Sequence, residues 1–294
     1  MPNNDTRQES GMLNTGDSTM RTPAGERWRQ MQDAARGQAL RLGDPGWQAG
    51  DDPYAGRVES FRSGQRTDQN VVDCLASAVG SEASVLEVGA GTGRLCLPLA
   101  RAVREVVALE PSEPMAAALE ADAREQGVTN VRVVRGGWQD VSERMADAVF
   151  AAHVVYSLPE IEAFVERLEQ LTTRWCGLIV FADPPQSRLF GFWEAVFGET
   201  RLPNPALPQV LDVLWSLGIY PEVKMLEVPV WPLGRKARAQ NGLRRRLHLA
   251  PGSPADARLE SAISTLLVDW GDGALGAIDR HPLPVGVVSW TPHR

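Results

Sequence analysis

Short apolar runs alternate with helical segments between residues 84 and 182, and this alternation constrains the fold more than any other feature of the sequence. The apolar runs are nearly continuous, as in strands that are buried on both faces. Parallel strands need crossover connections, which the intervening helices supply. We therefore predict a doubly wound α/β sheet. The predicted strands are 84–89, 105–109, 131–135, 147–156 and 177–182, and the predicted helices between them are 95–103, 113–126 and 161–172.

The segments on both sides of this alternation define the predicted domain organisation. Residues 1–24 are polar and are predicted to be a disordered tail, residues 25–80 a helical cap, and residues 81–294 the main domain. Within the main domain, residues 184–283 are predicted to include an insert before the last strand. The remaining predicted helices are 24–42, 66–79, 190–198, 207–217, 235–249 and 259–270, and the remaining strands are 222–230 and 285–290.

The composition excludes several classes of protein. With 43% hydrophobic and 23% charged residues over 294 positions, the chain can bury a sizeable core and is not disordered as a whole. The net charge of −7 argues against a dedicated nucleic-acid binder. A local basic cluster nevertheless lies at 235–246, and it is either a solvated helix face or a contact for an anionic substrate.

The cysteines and the apolar runs indicate the cellular compartment in which the protein is expected. Cys74, Cys96 and Cys176 are scattered and form neither a disulfide framework nor a cluster with metal-ligand spacing, so no metal is expected. The longest apolar runs fall well short of the ~20 residues that span a bilayer, and the polar N-terminal residues lack the apolar core of a signal peptide. These features predict a cytoplasmic protein without a membrane partner.

A glycine-rich stretch, Val-Leu-Glu-Val-Gly-Ala-Gly-Thr-Gly-Arg at 85–94, joins the first of these strands to a helix. Glycines at alternate positions allow a tight turn and let a ligand approach the backbone closely. The third small residue of a dinucleotide fingerprint would fall at Arg94, and the Gly-Lys-Ser/Thr of a P-loop is absent. A nicotinamide-dependent oxidoreductase is therefore disfavoured, but it stays an alternative.

Two carboxylates accompany this turn. Glu87 lies two residues before Gly89, where a carboxylate suits an ammonium or sulfonium group better than a phosphate. Glu110 follows the second predicted strand, where a carboxylate can accept hydrogen bonds from both hydroxyls of a ribose. Together they predict a ligand that has a ribose and a cationic group but no pyrophosphate.

These residues resemble the motifs of class I S-adenosylmethionine-dependent methyltransferases, and the resemblance covers residues 83–182. It implies a Rossmann-like, mostly parallel sheet whose last strand is antiparallel, with S-adenosyl-L-methionine as the cofactor. It further implies that Glu87 anchors the loop or the cofactor's amino group. In the family, the segments corresponding to the N-terminal cap and the insert often cover the cofactor and the acceptor. The implied contacts of the methionine and ribose moieties are Gly89, Ala90, Gly91, Gly93, Glu110 and Pro111.

The same resemblance assigns the adenine and the reacting methyl group to two further loops. Trp138, Gln139 and Asp140 follow the third strand, where the adenine lies in this family. His153 and Tyr156 follow the fourth strand, where the family places the methyl group and the substrate. Both are therefore candidate catalytic residues, and His153 is also a candidate cofactor contact.

The predicted function is in-line transfer of a methyl group from S-adenosyl-L-methionine to a small-molecule acceptor. His153 is the candidate base if the acceptor is a hydroxyl or a phenol. No nucleic-acid partner is expected from the acidic composition. A methyltransferase acting on RNA or protein is the main alternative, because of the basic cluster. The sequence leaves the acceptor and the oligomeric state open.

Overall fold

The computed structural model describes residues 21–45, 47, 52, 54–62, 68–141 and 145–293. The tail predicted at 1–24 lies almost entirely outside these residues, and its last two positions already belong to the first helix. The helices are α1 (Pro23–Leu42), α2 (Val58–Phe61), α3 (Gln69–Val79), α4 (Cys96–Leu99), α5 (Glu113–Glu125), α6 (Ile161–Leu171), α7 (Gly191–Phe197), α8 (Leu207–Ser216), α9 (Lys236–Leu247) and α10 (Pro254–Leu266). The strands are β1 (Ser84–Val88), β2 (Glu105–Glu110), β3 (Val131–Arg135), β4 (Ala148–Ala152), β5 (Trp175–Phe181), β6 (Glu222–Val228), β7 (Gly234–Arg235), β8 (Leu267–Asp269), β9 (Ala274–Ala277) and β10 (Leu283–Trp290).

Seven of these strands form one sheet in the order β3-β2-β1-β4-β5-β10-β6. The first five are parallel to their neighbours, whereas β10 runs antiparallel to both β5 and β6. The chain order reverses between β1 and β4, and ligands of open α/β sheets bind in the crevice at such a point. The predicted fold, a mostly parallel Rossmann-like sheet with an antiparallel last strand and an N-terminal helix, is confirmed.

Helices cover both faces of the sheet, which explains why the central strands read as unbroken apolar runs. All five residues of β1 are buried. Leu86 and Val88 pack in the core formed with α1, α6 and α8, whereas Val85 packs in the core formed with α3, α4 and α5. Successive side chains of a strand point to opposite faces, so a strand between two helical layers must be apolar on both.

The insert after β6 has a core of its own. Helices α9 and α10 pack with α7 and with the C-terminal end of α1, beside a small sheet in the order β7-β9-β8.

The bounds predicted for the helix at 259–270 are wrong at both ends. Ser253 caps α10 by accepting a hydrogen bond from the Asp256 N–H, so the helix begins earlier. The helix ends at Leu266 because the next residues pair with β9, around a Gly-Asp-Gly turn at 271–273.

The helix predicted at 95–103 is also shorter than expected. Within this range only α4 has regular α-helical hydrogen bonding. The backbone then forms a tighter turn, in which the Arg101 N–H donates to the carbonyl of Pro98, three residues earlier.

Helix α1 holds the segment that follows β4. The Trp28 side chain is fully buried, and its indole Nε1 donates to the Leu158 carbonyl over 2.8 Å. Gln32 Nε2 donates to the same carbonyl over 3.1 Å. At the start of the helix, buried Glu162 accepts hydrogen bonds from the Thr22 N–H and from the Arg29 guanidinium. Ala24 and Trp28 of the N-terminal helix therefore pack into the main core.

We predict that Trp28→Ala lowers the free energy of unfolding by about 3–5 kcal/mol, because it leaves a large cavity and removes one of the two hydrogen bonds to the Leu158 carbonyl. Urea denaturation measures this difference. The neighbouring Arg27→Ala serves as the control, since Arg27 and Asp212 form an ion pair with side chains 58% and 48% exposed. It should cost no more than about 1 kcal/mol. Equal effects of the two substitutions would contradict this account of α1.

Candidate functional site

The loop between β1 and α4 has the geometry of a close ligand contact. Gly89, Gly91 and Gly93 all have positive φ angles. A β-carbon at Gly89 would lie 2.6 Å from Val154 Cγ2, and one at Gly93 would lie 2.8 Å from Leu97 Cγ, so packing requires both glycines. A β-carbon at Gly91 would meet nothing within 4 Å, so this glycine leaves open space at the middle of the loop.

Glu110, at the end of β2, meets this loop directly. Its Oε2 accepts a hydrogen bond from the Gly91 N–H over 2.7 Å, and its Oε1 accepts one from the Ser112 N–H over 2.8 Å. Burial raises the pKa of this carboxyl, although both hydrogen bonds act in the opposite direction. The structure therefore brings together the predicted glycine loop and the predicted ribose carboxylate. Ala90 and Pro111 adjoin them in the chain.

Glu87 lies behind the loop and is fully buried in β1. Burial raises its pKa to about 8, and this effect outweighs the Arg94 cation and the hydrogen bonds from the Cys96 side chain and backbone. Its Oε2 has no hydrogen-bond partner among the described residues. One carboxylate oxygen thus anchors the start of α4, and the other is available to a cationic group.

The loop after β3 forms a single 3-10 turn over Trp138–Asp140. Asp140 Oδ2 accepts a hydrogen bond from the Gly137 N–H over 2.7 Å, so this carboxylate caps its own turn. Gln139 and Asp140 are exposed, and Trp138 is partly buried with its ring edge-on to Phe164. The adenine contacts implied for these three residues stay a prediction.

A cluster of three rings lies at the ends of β4 and β5. The Tyr156 hydroxyl lies 3.2 Å from His153 Nδ1 and accepts a hydrogen bond from the Phe181 N–H over 2.7 Å. The His153 and Phe181 rings are stacked with centroids 4.2 Å apart. The structure thus brings His153 and Tyr156 together, as the sequence predicted. Phe181 was missed, although its place at the end of the strand next to β4 could have indicated it.

The contact with Tyr156 bears on the proton position of His153. The Tyr156 oxygen accepts from the Phe181 N–H, and His153 Nδ1 lies within hydrogen-bond distance of the same hydroxyl. An Nδ1 that accepts the hydroxyl proton leaves the ring proton on Nε2. Burial lowers the pKa of His153 to about 3, with a smaller effect from the Arg94 cation. Burial also raises the pKa of the Tyr156 hydroxyl. Both rings are accordingly neutral at neutral pH.

A cavity of about 390 Å³ extends from this cluster. Its walls combine the ring cluster, the N-terminal segment, the loop after β5 and helix α9. The lining residues used below are Arg57, Phe61, Asp68, Arg94, His153, Tyr156, Phe181, Asp183, Arg188, Trp231, Arg238, Arg245 and Arg246. Sequence reasoning missed Arg57 and Phe61, which follow a polar stretch without a regular pattern.

The basic cluster at 235–246 divides into two groups. Arg244 binds Asp256 through two hydrogen bonds of 2.7 Å, and Lys236 Nζ lies 3.3 Å from Glu260 Oε1, so these two side chains serve the insert itself. Arg238, Arg245 and Arg246 line the cavity instead. The interpretation of the cluster as a solvated helix face therefore accounts for only part of it.

The N-terminal segment lies over the glycine loop. Thr92 Oγ1 donates to the Phe61 carbonyl over 2.6 Å, and Arg62 forms an ion pair with Asp122 of α5. Earlier in the same segment, Asp52 Oδ2 accepts a hydrogen bond from the Ser112 hydroxyl over 2.6 Å. The segment that carries α2 is thus bonded to both sides of the predicted cofactor site.

Metal-binding clusters and membrane-spanning helices are both absent from the described ranges. No group of three or more His, Cys, Asp or Glu side chains in these ranges is arranged to hold a metal ion. None of the helices that the structure describes is long and apolar enough to cross a membrane.

Comparison with known proteins gives a family match and a partial relative. Residues 85–174 match the family model described as a methyltransferase domain. A tRNA/tmRNA (uracil-C(5))-methyltransferase of Pseudomonas putida (strain GB-1) is 31% identical over 143 residues, which cover 45% of this chain and 36% of that protein. The chain therefore spans little more than a third of the curated relative's length.

Solved structures support the fold. The YcgJ protein of Bacillus subtilis superposes with a TM-score of 0.53 at 14% identity, covering 76% of this chain and 99% of that one. A SAM-dependent methyltransferase from Thiobacillus denitrificans, solved with S-adenosyl-L-homocysteine, has a TM-score of 0.51 at 16% identity and covers 83% and 100%.

The family match, the strand order and the Glu-x-Gly-x-Gly-x-Gly loop joined to Glu110 agree with one another. The alternative of a nicotinamide-dependent oxidoreductase receives no support from them. Residues 85–174 thus match a methyltransferase domain, in a chain that shares the fold of S-adenosylmethionine-dependent methyltransferases.

Proposed function

We propose that this chain transfers a methyl group from S-adenosyl-L-methionine to a small-molecule acceptor. The observation that carries the proposal is the cavity of about 390 Å³ that begins at the ends of β4 and β5. Its volume falls in the range that holds small organic ligands. Segments from α2 and α9 contribute to its walls, so the acceptor site is concave rather than an open surface.

The residues of the glycine loop fit the proposed cofactor. The open space at Gly91 admits a ligand against the backbone, and Glu110 is placed to accept hydrogen bonds from ribose hydroxyls. The unpartnered Glu87 Oε2 suits a buried cation, because a desolvated carboxylate is stabilised by an opposite charge. When bound, the cofactor supplies a methyl group activated by its sulfonium. The protein then mainly aligns the acceptor with that methyl group.

The first test is calorimetric titration with S-adenosyl-L-methionine and S-adenosyl-L-homocysteine, with NAD and NADP as controls. We expect both sulfur compounds to bind and both nicotinamides to fail. Gly91→Asp should abolish this binding, because a side chain would fill the open space and add a charge beside Glu110.

A matched control for this substitution is Gly127→Asp. Gly127 also has a positive φ, and a β-carbon there would also meet nothing within 4 Å, but it follows α5 away from the loop. The two substitutions therefore introduce the same kind of backbone strain, but only Gly91→Asp lies at the proposed cofactor site. Cofactor binding that survives Gly91→Asp in a folded protein would show that the site is misplaced.

The raised pKa of Glu87 predicts that cofactor binding releases a proton from this carboxyl. With its pKa raised to about 8 by burial, this carboxyl is mostly protonated at neutral pH. A cation placed beside it lowers the pKa, so binding should release about one proton per site near pH 7. The release should disappear as the pH rises above the pKa of the free protein. Calorimetry in buffers of different ionisation enthalpy measures it.

Glu87→Gln is the control, since it retains the shape of the side chain and removes the titrating group. Proton release with S-adenosyl-L-methionine but not with S-adenosyl-L-homocysteine would assign the effect to the sulfonium. Release with both ligands would assign it to the ammonium. Unchanged release in the Gln variant would exclude Glu87 as its source.

His153 is proposed to orient the acceptor rather than to remove its proton. Its Nδ1 accepts from Tyr156 and its pKa is lowered to about 3, which makes it a weak base with Nε2–H as a hydrogen-bond donor. The hypothesis of a catalytic base at His153 thus loses support, while its place beside the cavity supports contact with the acceptor. Tyr156 is a positioning residue in this scheme.

Nuclear magnetic resonance of the ring nitrogens tests this assignment. We expect His153 to stay neutral with the proton on Nε2 between about pH 5 and about pH 9, where an unperturbed histidine would titrate. Tyr156→Phe removes the hydroxyl and should release the fixed tautomer without exposing the ring. Protonation of His153 near its ordinary pKa, or a proton on Nδ1, would restore the base hypothesis.

An RNA acceptor is the second candidate, favoured by the partial similarity to tRNA/tmRNA (uracil-C(5))-methyltransferases. Methylation at a weakly nucleophilic ring carbon needs an added nucleophile such as a thiolate. Cys96 and Cys176 are buried, and burial raises the pKa of both thiols. The half-buried Cys74 does not line the cavity, so no cysteine is placed for this chemistry among the described residues. Salt-dependent binding of tRNA by the full chain would favour RNA. Cytoplasmic location stays a prediction from the sequence.

A further inference from the structure

Two arginines of the cavity lack a carboxylate partner. Arg57 and Arg245 both line it, and no ion pair joins either of them to an acidic side chain in the part of the chain that the structure describes. The Arg57 guanidinium lies 4.9 Å from the centre of the Phe61 ring and 5.7 Å from that of Tyr54. Burial and the nearby Arg245 cation together lower the pKa of Arg57.

Two of the other arginines that line the cavity are paired with carboxylates. Arg94 is paired with Asp68 over 3.0 Å, and Arg188 with Asp279 over 3.2 Å. Arg238 donates to the Glu59 carbonyl. Asp183 is the third lining carboxylate. The six lining arginines therefore exceed the three lining aspartates, and the excess positive charge includes Arg57 and Arg245.

A desolvated guanidinium beside a second cation is unfavourable unless an anion binds there. Guanidinium groups match the planar oxygens of a carboxylate or phosphate and form charge-assisted hydrogen bonds with them. The Tyr54 and Phe61 rings hold the Arg57 guanidinium without neutralising it, and no carboxylate among the described residues pairs with Arg57 or Arg245, whereas Asp256 neutralises Arg244. The site is therefore suited to the charged end of a ligand.

The position of Arg57 and Arg245 favours a ligand other than the cofactor. Arg57 and Arg245 also line a second cavity, of about 560 Å³, which includes Trp47 and His248 but no glycine of the loop after β1. The two arginines thus lie between two cavities, on the acceptor side rather than at the cofactor loop.

The ring cluster provides the apolar part of the same site. Phe181 and His153 are stacked and both line the cavity, and Trp231 adds a further aromatic surface. Aromatic faces favour planar ligands in offset stacking. A cavity with an apolar wall and an unpaired cationic group at one end matches an acceptor that has an apolar body and an anionic group.

Building on the proposed function, we propose that the methyl acceptor is a planar organic anion. Its carboxylate or phosphate binds Arg57 and Arg245, and its ring system packs against Phe181 and His153.

The test uses the full chain saturated with S-adenosyl-L-homocysteine, and three probes of one shape: 2-naphthoate, 2-naphthyl phosphate and the neutral 2-naphthamide. We expect at least one of the two anions to bind about tenfold more tightly than the amide, as charge-assisted hydrogen bonds predict. The anion bound more tightly identifies the charged group. Arg57→Gln and Arg245→Gln should each remove most of the preference, while Arg245→Lys should retain part of it.

Arg235→Gln is the matched control, because Arg235 is exposed, precedes the same helix and does not line this cavity. It should keep the preference for the anions. Equal binding of anions and amide, no binding of either anion, or an unchanged preference in both Gln variants would overturn the proposal. Titration with S-adenosyl-L-homocysteine precedes each experiment. Its failure would count against the proposed function, whereas anion binding that persists without it would still support the arginine site.

Discussion

The backbone of the loop after β1 is held by the end of β2, and the rest of the site is arranged around this attachment. The N–H groups of Gly89 and Ala90 donate to the Leu109 carbonyl over 2.8 and 3.1 Å, and the Gly91 N–H donates to Glu110 over 2.7 Å. Three consecutive donors thus point at one strand end. These hydrogen bonds fix the open space at Gly91 relative to the Glu110 carboxylate. A ligand can therefore contact the Gly91 backbone and Glu110 without a rearrangement of either.

The neighbouring half of the site depends on an unusual backbone position. His153 has a φ of +57°, which costs a residue with a β-carbon about 1 kcal/mol or more. Its N–H donates to the Ile179 carbonyl of β5, which holds the turn in place. The turn directs the imidazole into the ring cluster instead of along the strand. Strain at the end of a central strand, beside a cavity, is typical of functional positions.

Much of this architecture could be predicted from local sequence. The strands were found because two helical layers force both strand faces to be apolar, and the glycine loop was found because its spacing is specific. The β8–β9 hairpin was missed, although Gly271, Asp272 and Gly273 indicated a turn, because the helical pattern before it seemed to continue. Local patterns also overextended the helix that ends at Leu99.

The acceptor side could not be predicted in the same way. Arg57 and Arg245 belong to segments that are distant in the chain and meet only in the folded protein. The basic cluster was visible, but which of its members are paired, as Arg244 is with Asp256, depends on tertiary contacts. Similarly, Phe181 gains its place from the pairing of β5 with β4 rather than from its neighbours in sequence.

The short helix α2 has one further consequence. It is bonded through the Phe61 carbonyl to Thr92 of the cofactor loop, and the residue just before it, Arg57, reaches the acceptor cavity. On the proposed assignment, one small element borders both ligands. Any displacement of α2 that admits the cofactor also displaces a contact of the acceptor, so the two binding equilibria are thermodynamically linked. Each ligand then alters the affinity for the other by the same factor.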